Sequence, residues 1–82
     1  KLEHLPKQAE QVAELIGEIE RGYHRENTVE GLLERLQRLF LEIKGQSLPV
    51  SREEFEARAI LFYILMQLRT LLQLKRDFIL SR

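Results

Sequence analysis

Residues 51–80 read SREEFEARAILFYILMQLRTLLQLKRDFIL and decide how the chain folds. Within this stretch, residues 59–66 are apolar without interruption. A helix that is apolar all round must be covered on every side. We therefore predict a long helix here that needs neighbours on more than one face.

The start of this helix is marked by a capping box. Ser51 has the side chain of a good N-cap, and Glu54 stands three residues on, where its carboxylate can reach back to the backbone. Val50 and Phe55 occupy the positions of a hydrophobic staple around the cap. These signals predict a helix over 52–79, roughly 42 Å long.

Two apolar stripes run along the predicted long helix on a helical wheel. One follows its whole length, and the other lies roughly opposite and stops at Met66. The opposed stripes indicate a helix sandwiched between neighbours. The long stripe comprises Ala57, Leu61, Ile64, Leu65, Leu68, Leu71, Leu72, Phe78 and Ile79, and the short stripe Phe55, Ala59, Phe62 and Met66.

Two shorter amphipathic helices precede the long one. Apolar residues at alternating steps of four and three predict a first helix over 6–21, with Gly22 able to take a positive φ just beyond it. Asn27 is a suitable N-cap for a second helix over 28–44, and Gly45 ends that helix. Because both connections are short, we predict an all-α bundle of three antiparallel helices with a long C-terminal helix.

The predicted bundle leaves part of its last helix uncovered. The first two helices are only roughly 24–26 Å long, and a short connection places the second against residues 52–68. The rest is an apolar overhang, so we expect oligomerisation to complete the bundle, through a homodimer or a partner's helix. The predicted core is Val12, Ile16, Ile19, Leu32, Leu36, Leu39, Phe40, Ile43, Leu61, Phe62, Leu65 and Leu68. The predicted interaction residues are Leu41, Leu68, Leu71, Leu72, Leu74, Lys75, Phe78 and Ile79.

Length and composition predict a single helical domain over 1–82, or a fragment of a longer protein, since the sequence does not begin with Met. A chain of 82 residues has a marginal core, and zero cysteines exclude disulfides and thiolate zinc sites. The absence of cysteine favours a reducing compartment, so we expect a cytoplasmic protein. Because the apolar run is far shorter than a bilayer requires and no signal peptide is evident, we expect no membrane association.

Charged side chains are balanced, with 13 basic and 13 acidic residues. This balance argues against a nucleic-acid binder, although the basic end of the last helix keeps a nucleic-acid-associated factor as an alternative. Lys75 is the cation on the long stripe, and three interpretations stay open. Its amine is desolvated and serves as a base or as an anchor for an anion. Alternatively, its aliphatic stem lies along apolar surface with the ammonium in water. In the third interpretation it pairs with a Glu of a partner helix and fixes the register between the two helices. The basic end comprises Arg69, Lys75, Arg76 and Arg82.

No group of residues matches the pattern of a catalytic, cofactor or metal site. Glu20 and His24 have the spacing of two metal ligands, but Gly22 is expected to end the helix between them and a third ligand is lacking. A small bundle enzyme would need at least two convergent charged groups, and only Lys75 is expected to face inward. We therefore predict a non-enzymatic adaptor or assembly module without a cofactor, which binds proteins through apolar helix faces and self-associates.

Overall fold

A computed structural model describes residues 7–22 and 26–81, and the side chains of 7–22 and 28–81. This part of the chain contains three helices and no strand: α1 Ala9–Glu20, α2 Glu26–Lys44 and α3 Arg52–Leu80. The prediction of an all-α protein with three helices and a long last helix is confirmed. At about 43 Å, α3 sets the 47 Å long dimension of the molecule.

The capping box at the start of α3 forms largely as predicted. Ser51 has extended backbone, and its hydroxyl accepts a hydrogen bond from the Glu54 N–H at 3.1 Å. The Glu54 carboxylate accepts in turn from the N–H of Val50, one residue before the cap, at 2.7 Å. The predicted staple is wrong, because Val50 is 93% exposed and Phe55 is 60% exposed. The start of α3 is therefore held by hydrogen bonds and not by apolar contact.

Of the two residues predicted to mark ends of the shorter helices, one is confirmed and the other is wrong. Gly22 has φ 81° and donates its N–H to the Ile19 carbonyl at 3.2 Å, so it ends α1 as predicted. The predicted N-cap Asn27 is wrong, because α2 already begins at Glu26. Pro6, with which the predicted first helix begins, and His24, which was considered as a metal ligand, lie outside the described residues.

One apolar core connects all three helices. Seven of the predicted core residues are buried, and Ile16, Ile19, Phe40, Phe62 and Leu68 pack against them partly buried. Leu15 is absent from the predicted core because α1 is rotated so that Gln8, Val12 and Leu15 face inward. The prediction had placed Ile16 in the core instead of Leu15. The buried apolar residues are Val12, Leu15, Val29, Leu32, Leu36, Leu39, Ile43, Leu61, Leu65 and Leu72.

The register of α2 on α3 differs from the expected one. The rings of Phe40 and Phe62 meet edge to face at 5.1 Å, and Arg76 lies 3.6 Å from the carboxylate of Glu30. The ring contact pairs the end of α2 with the first half of α3, and the ion pair joins the first turns of α2 to the last turns of α3. As a result Leu72 is only 1% exposed, and its expected place in an uncovered overhang is wrong.

The connection between α2 and α3 explains this register. The Arg58 guanidinium donates to the backbone carbonyl of Ser47 at 2.6 Å, which holds the connection beside the first turns of α3. Those turns are therefore accompanied by residues 45–51, and α2 meets α3 further along. The expected register, which placed the second helix against residues 52–68 because the connection is short, left this path of the connection out of account.

Two polar contacts join α1 to α2 and to the connection. Arg35 donates to the Glu18 carboxylate at 2.7 Å, and Gln46 donates to the Gln8 side-chain oxygen at 2.9 Å. Gln8 is buried, so its hydrogen bond replaces the water that burial removes. The two contacts pair the start of α1 with the end of α2, and the end of α1 with the middle of α2.

The side of α3 turned away from α2 remains apolar. Ile60, Tyr63, Leu71 and Leu74 follow each other at helical spacing, and each is about half or more exposed. We call these four residues the outer stripe. Such a row of large apolar side chains is the usual mark of a surface that binds another protein or a membrane.

Candidate functional site

An apolar groove lies between the end of α2, the connection and the first half of α3. Its volume is about 500 Å³, within the range of pockets that hold small molecules, and one side is open to solvent. It is lined by Ile43, Lys44, Gln46, Leu48, Pro49, Phe55, Arg58, Ala59, Phe62, Tyr63 and Met66.

Aromatic rings form the α3 wall of the groove. Phe55, Phe62 and Met66 belong to the short apolar stripe and share one face of the helix because they follow each other at steps of seven and four. Tyr63 adds a ring from the neighbouring face. Phe62 is held in place by its edge-to-face contact with Phe40, so at least one ring is fixed before any ligand arrives.

Two cations line the same groove and no acidic residue does. Arg58 is 12% exposed in its side chain; it donates to Ser47 at 2.6 Å and lies 3.5 Å from the Glu54 carboxylate. Lys44, the last residue of α2, is exposed and makes no ion pair with the described part of the chain. The groove therefore combines aromatic surface with a local excess of positive charge.

The residues predicted to bind partners lie elsewhere, and none of them lines the groove. Leu41, Leu71, Leu74 and Phe78 are exposed, whereas Leu68, Lys75 and Ile79 are partly buried and Leu72 is buried. Sequence reasoning missed Lys44 and Arg58 because they belong to different helices. The available signal was Arg58 itself, a cation directly before the apolar run 59–66.

Metal ligands do not converge in the described ranges. Within 7–22 and 26–81, no three His, Cys, Asp or Glu side chains come close enough to hold a metal ion. Of the two spaced ligands in the sequence, Glu20 is the last residue of α1, and His24 lies outside the described residues. The groove is thus the site at which this part of the chain brings charged and aromatic groups together.

By length and composition, α3 is also able to cross a membrane. Only 17% of its most apolar window is buried within the described structure. The expectation of no membrane association considered only the unbroken run 59–66. A span tolerates a few polar interruptions, and α3 as a whole meets the length that the run lacks.

Comparison with known proteins shows the family to which the chain belongs. Residues 1–76 match the family described as "Putative aromatic acid exporter C-terminal domain". A relative from Bacillus subtilis (strain 168), named "Uncharacterized protein YqjA", is 38% identical over 71 residues, which cover 87% of this chain and 22% of the relative. The chain therefore spans about a fifth of the length of this curated relative. No solved structure matches it.

These matches contradict the function and the location expected from the sequence. A domain of an exporter family points to the membrane, so the expected cytoplasmic location is wrong. The expected adaptor or assembly module and the nucleic-acid-associated alternative are wrong for the same reason. Apolar helix faces occur in bundle helices of many functions and carry no information on transport.

Proposed function

The chain belongs to the family of aromatic acid exporter C-terminal domains, and we propose that it serves as a non-enzymatic, membrane-associated helical domain of such an exporter. The observation that carries this proposal is the family match, which extends over residues 1–76. The chain corresponds to a fifth of its relative, so it supplies one part of a transport protein. Its proposed contribution is to bind the transported molecule and to present it to the rest of the exporter, in which translocation occurs.

We place α3 beside the membrane and not through it. The buried residues Leu61, Leu65 and Leu72 belong to a core that α3 shares with α2, and α2 carries charged residues such as Arg35 and Arg38 along its length. A spanning α3 would have to lose α2 or bring those charges into hydrocarbon. It would also place Arg69 within the span, at a cost of about 2.5–3.5 kcal/mol on insertion scales.

The proposed bundle is antiparallel, and its outer stripe is covered in the complete exporter. Contacts such as Glu30 to Arg76 and Glu18 to Arg35 support the antiparallel order. The outer stripe, together with Leu41, provides apolar surface that one chain of this size leaves in water. Its proposed partner is a helix or apolar surface from the rest of the exporter, with a second copy of the domain as the other possible source.

Transport in cells tests this proposal. The whole protein that contains this chain is expressed in bacteria loaded with radiolabelled benzoate, and both its membrane content and the benzoate retained are measured. We expect the protein in the membrane fraction, and faster loss of benzoate than in cells with an empty vector. Abundant membrane-inserted protein without any change in the loss of benzoate or of hydroxybenzoates would overturn the exporter assignment.

Removal of residues 52–80 tests the contribution of this domain to export separately from that of the rest of the transporter. If the domain takes part in export, the truncated protein should reach the membrane in similar amount and release benzoate more slowly. Equal release by the truncated and the intact protein would show that this domain is dispensable for export.

A further inference from the structure

We propose that the groove between α2, the connection and α3 binds an aromatic carboxylate. The inference rests on the proposed function, because it assigns the transported class of molecule to a defined site in this domain. The site is built from two parts: the aromatic wall of Phe55, Phe62 and Tyr63, and the cationic pair Lys44 and Arg58.

The aromatic wall favours a flat ring as ligand. Phe55 and Tyr63 are largely exposed although they flank a groove of about 500 Å³, so a planar guest can contact their faces without displacing the core. Ring-to-ring contact adds to the gain from apolar burial, and it requires the offset or edge geometry that a mobile small ligand can adopt. The Phe40–Phe62 pair already has that geometry in this structure, at 5.1 Å.

The cationic pair favours an acid over a neutral aromatic molecule. The chain as a whole has no net charge, yet the groove lining contains two cations and no carboxylate. Glu54 offsets part of the Arg58 charge from outside the lining, at 3.5 Å. Lys44 has no such partner among the described side chains, so it is the cation available to a ligand carboxylate.

Arg58 has a positioning role in this proposal. Its hydrogen bond to the Ser47 carbonyl keeps the connection against α3 and thereby keeps Lys44, Leu48 and Pro49 at the rim of the groove. A guanidinium has five N–H donors, and the contacts to Ser47 and Glu54 use only some of them.

Binding of 4-fluorobenzoate to the full 82-residue chain, followed by fluorine NMR, tests the site. We expect Lys44→Gln to weaken binding about tenfold or more, because it removes a charge-assisted hydrogen bond. Lys44→Arg should retain most of the affinity. Arg52→Gln removes an exposed cation from the same end of α3 and is the matched control, with a change below about twofold.

Competition with unlabelled molecules tests the two recognition features separately. Benzoate should displace the probe well, benzamide about tenfold less well because it lacks the charge, and cyclohexanecarboxylate several-fold less well because its ring is saturated and not aromatic. Equal displacement by benzamide, or unchanged binding in Lys44→Gln, would overturn the proposal. Either result would leave the groove as an apolar seat for a segment of the exporter or for a second copy.

Failure of the proposed binding site can be distinguished from failure of the exporter assignment. Benzoate release from cells without binding to this chain, or release unaffected by Lys44→Gln, overturns the site and leaves the exporter function intact. Specific binding without any release from cells supports the site and overturns the exporter function.

Discussion

At the scale of single residues, Ser51 is the local determinant on which the longest helix depends. Its hydroxyl satisfies the Glu54 N–H, one of the backbone donors that a helix start leaves without an intrahelical partner. The Glu54 carboxylate also sits in the first turn, where the helix dipole favours negative charge. This end of α3 therefore forms from information contained within five neighbouring residues.

Ser51→Ala should lower the free energy of unfolding by about 0.5–2 kcal/mol, because the Glu54 N–H loses its acceptor. Urea denaturation followed by circular dichroism measures the change. Ser47→Ala is the control, since Ser47 contributes its backbone carbonyl and not its hydroxyl to Arg58. A neutral Ser51→Ala would show that α3 begins elsewhere.

The ion pair between Glu18 and Arg35 predicts a pH dependence. The hydrogen bond from Arg35 lowers the pKa of Glu18 below its ordinary 4.5, the charges of Arg35 and Arg21 act in the same direction, and burial opposes them. A lowered folded-state pKa stabilises the protein above the unfolded pKa, and that stabilisation is lost as the pH falls through the folded value.

Arg35→Gln should therefore destabilise the chain at pH 7 and make little difference at a pH well below 4.5. Thermal unfolding across this range measures the difference between the two proteins. Arg38→Gln, an exposed cation one turn further along α2, is the control. A difference that stays constant from neutral to acid pH would contradict the proposed role of Glu18.

At the scale of elements, the decisive feature is how far α2 extends along α3. The Glu30–Arg76 contact shows that α2 extends almost to the end of α3, and Leu72, one turn before Arg76, is buried. A connection only a few residues shorter would move this contact by a turn or more. The interaction surface of α3 therefore depends on the path of residues 45–51 and not on α3 alone.

Two adjacent leucines test this register. Leu72→Ala should cost about 2–5 kcal/mol of unfolding free energy, as a large-to-small change in a core does, and Leu65→Ala should cost a similar amount. Leu71→Ala, 48% exposed on the outer stripe, should cost clearly less. Equal losses at Leu71 and Leu72 in urea denaturation would mean that α2 lies on α3 in a different register.

At the scale of the whole molecule, the question is whether α3 lies beside a membrane or crosses it. The helix passes the criteria of length and composition for a span, but one of its faces is occupied by an α2 that carries many charges. In the first arrangement the polar side of α3 remains in water. Arg69 lies on that side, beside Glu30 and Glu34 of α2, and is exposed.

Cysteine labelling in membranes distinguishes the two arrangements. In the whole exporter without other cysteines, Arg69→Cys should react with a membrane-impermeant maleimide about as fast as Ser47→Cys, and Leu72→Cys should react slowly because it is buried. The membranes are opened by freezing and thawing so that both sides are accessible. Protection of Arg69→Cys to the level of Leu72→Cys would indicate a spanning α3.

Local sequence was enough to predict the helices and most of their ends. Ser51 with Glu54, and Gly22 with its positive φ, act through hydrogen bonds to residues within a few positions, so their effect is readable without knowledge of the fold. Helical periodicity also predicted which residues of α2 point inward, such as Leu36 and Ile43. The aromatic half of the groove was visible as the short stripe, although its partner across the groove was not.

The sequence by itself determined an all-α chain with a capped, largely apolar last helix, because these properties arise from interactions between near neighbours. Only the tertiary structure decided that Leu15 and Leu72 are buried and that Lys44 and Arg58 line one groove. Those features depend on the rotation of each helix and on the path of the connection. Several rotations and registers bury similar apolar area, and small differences in packing between distant residues select one of them.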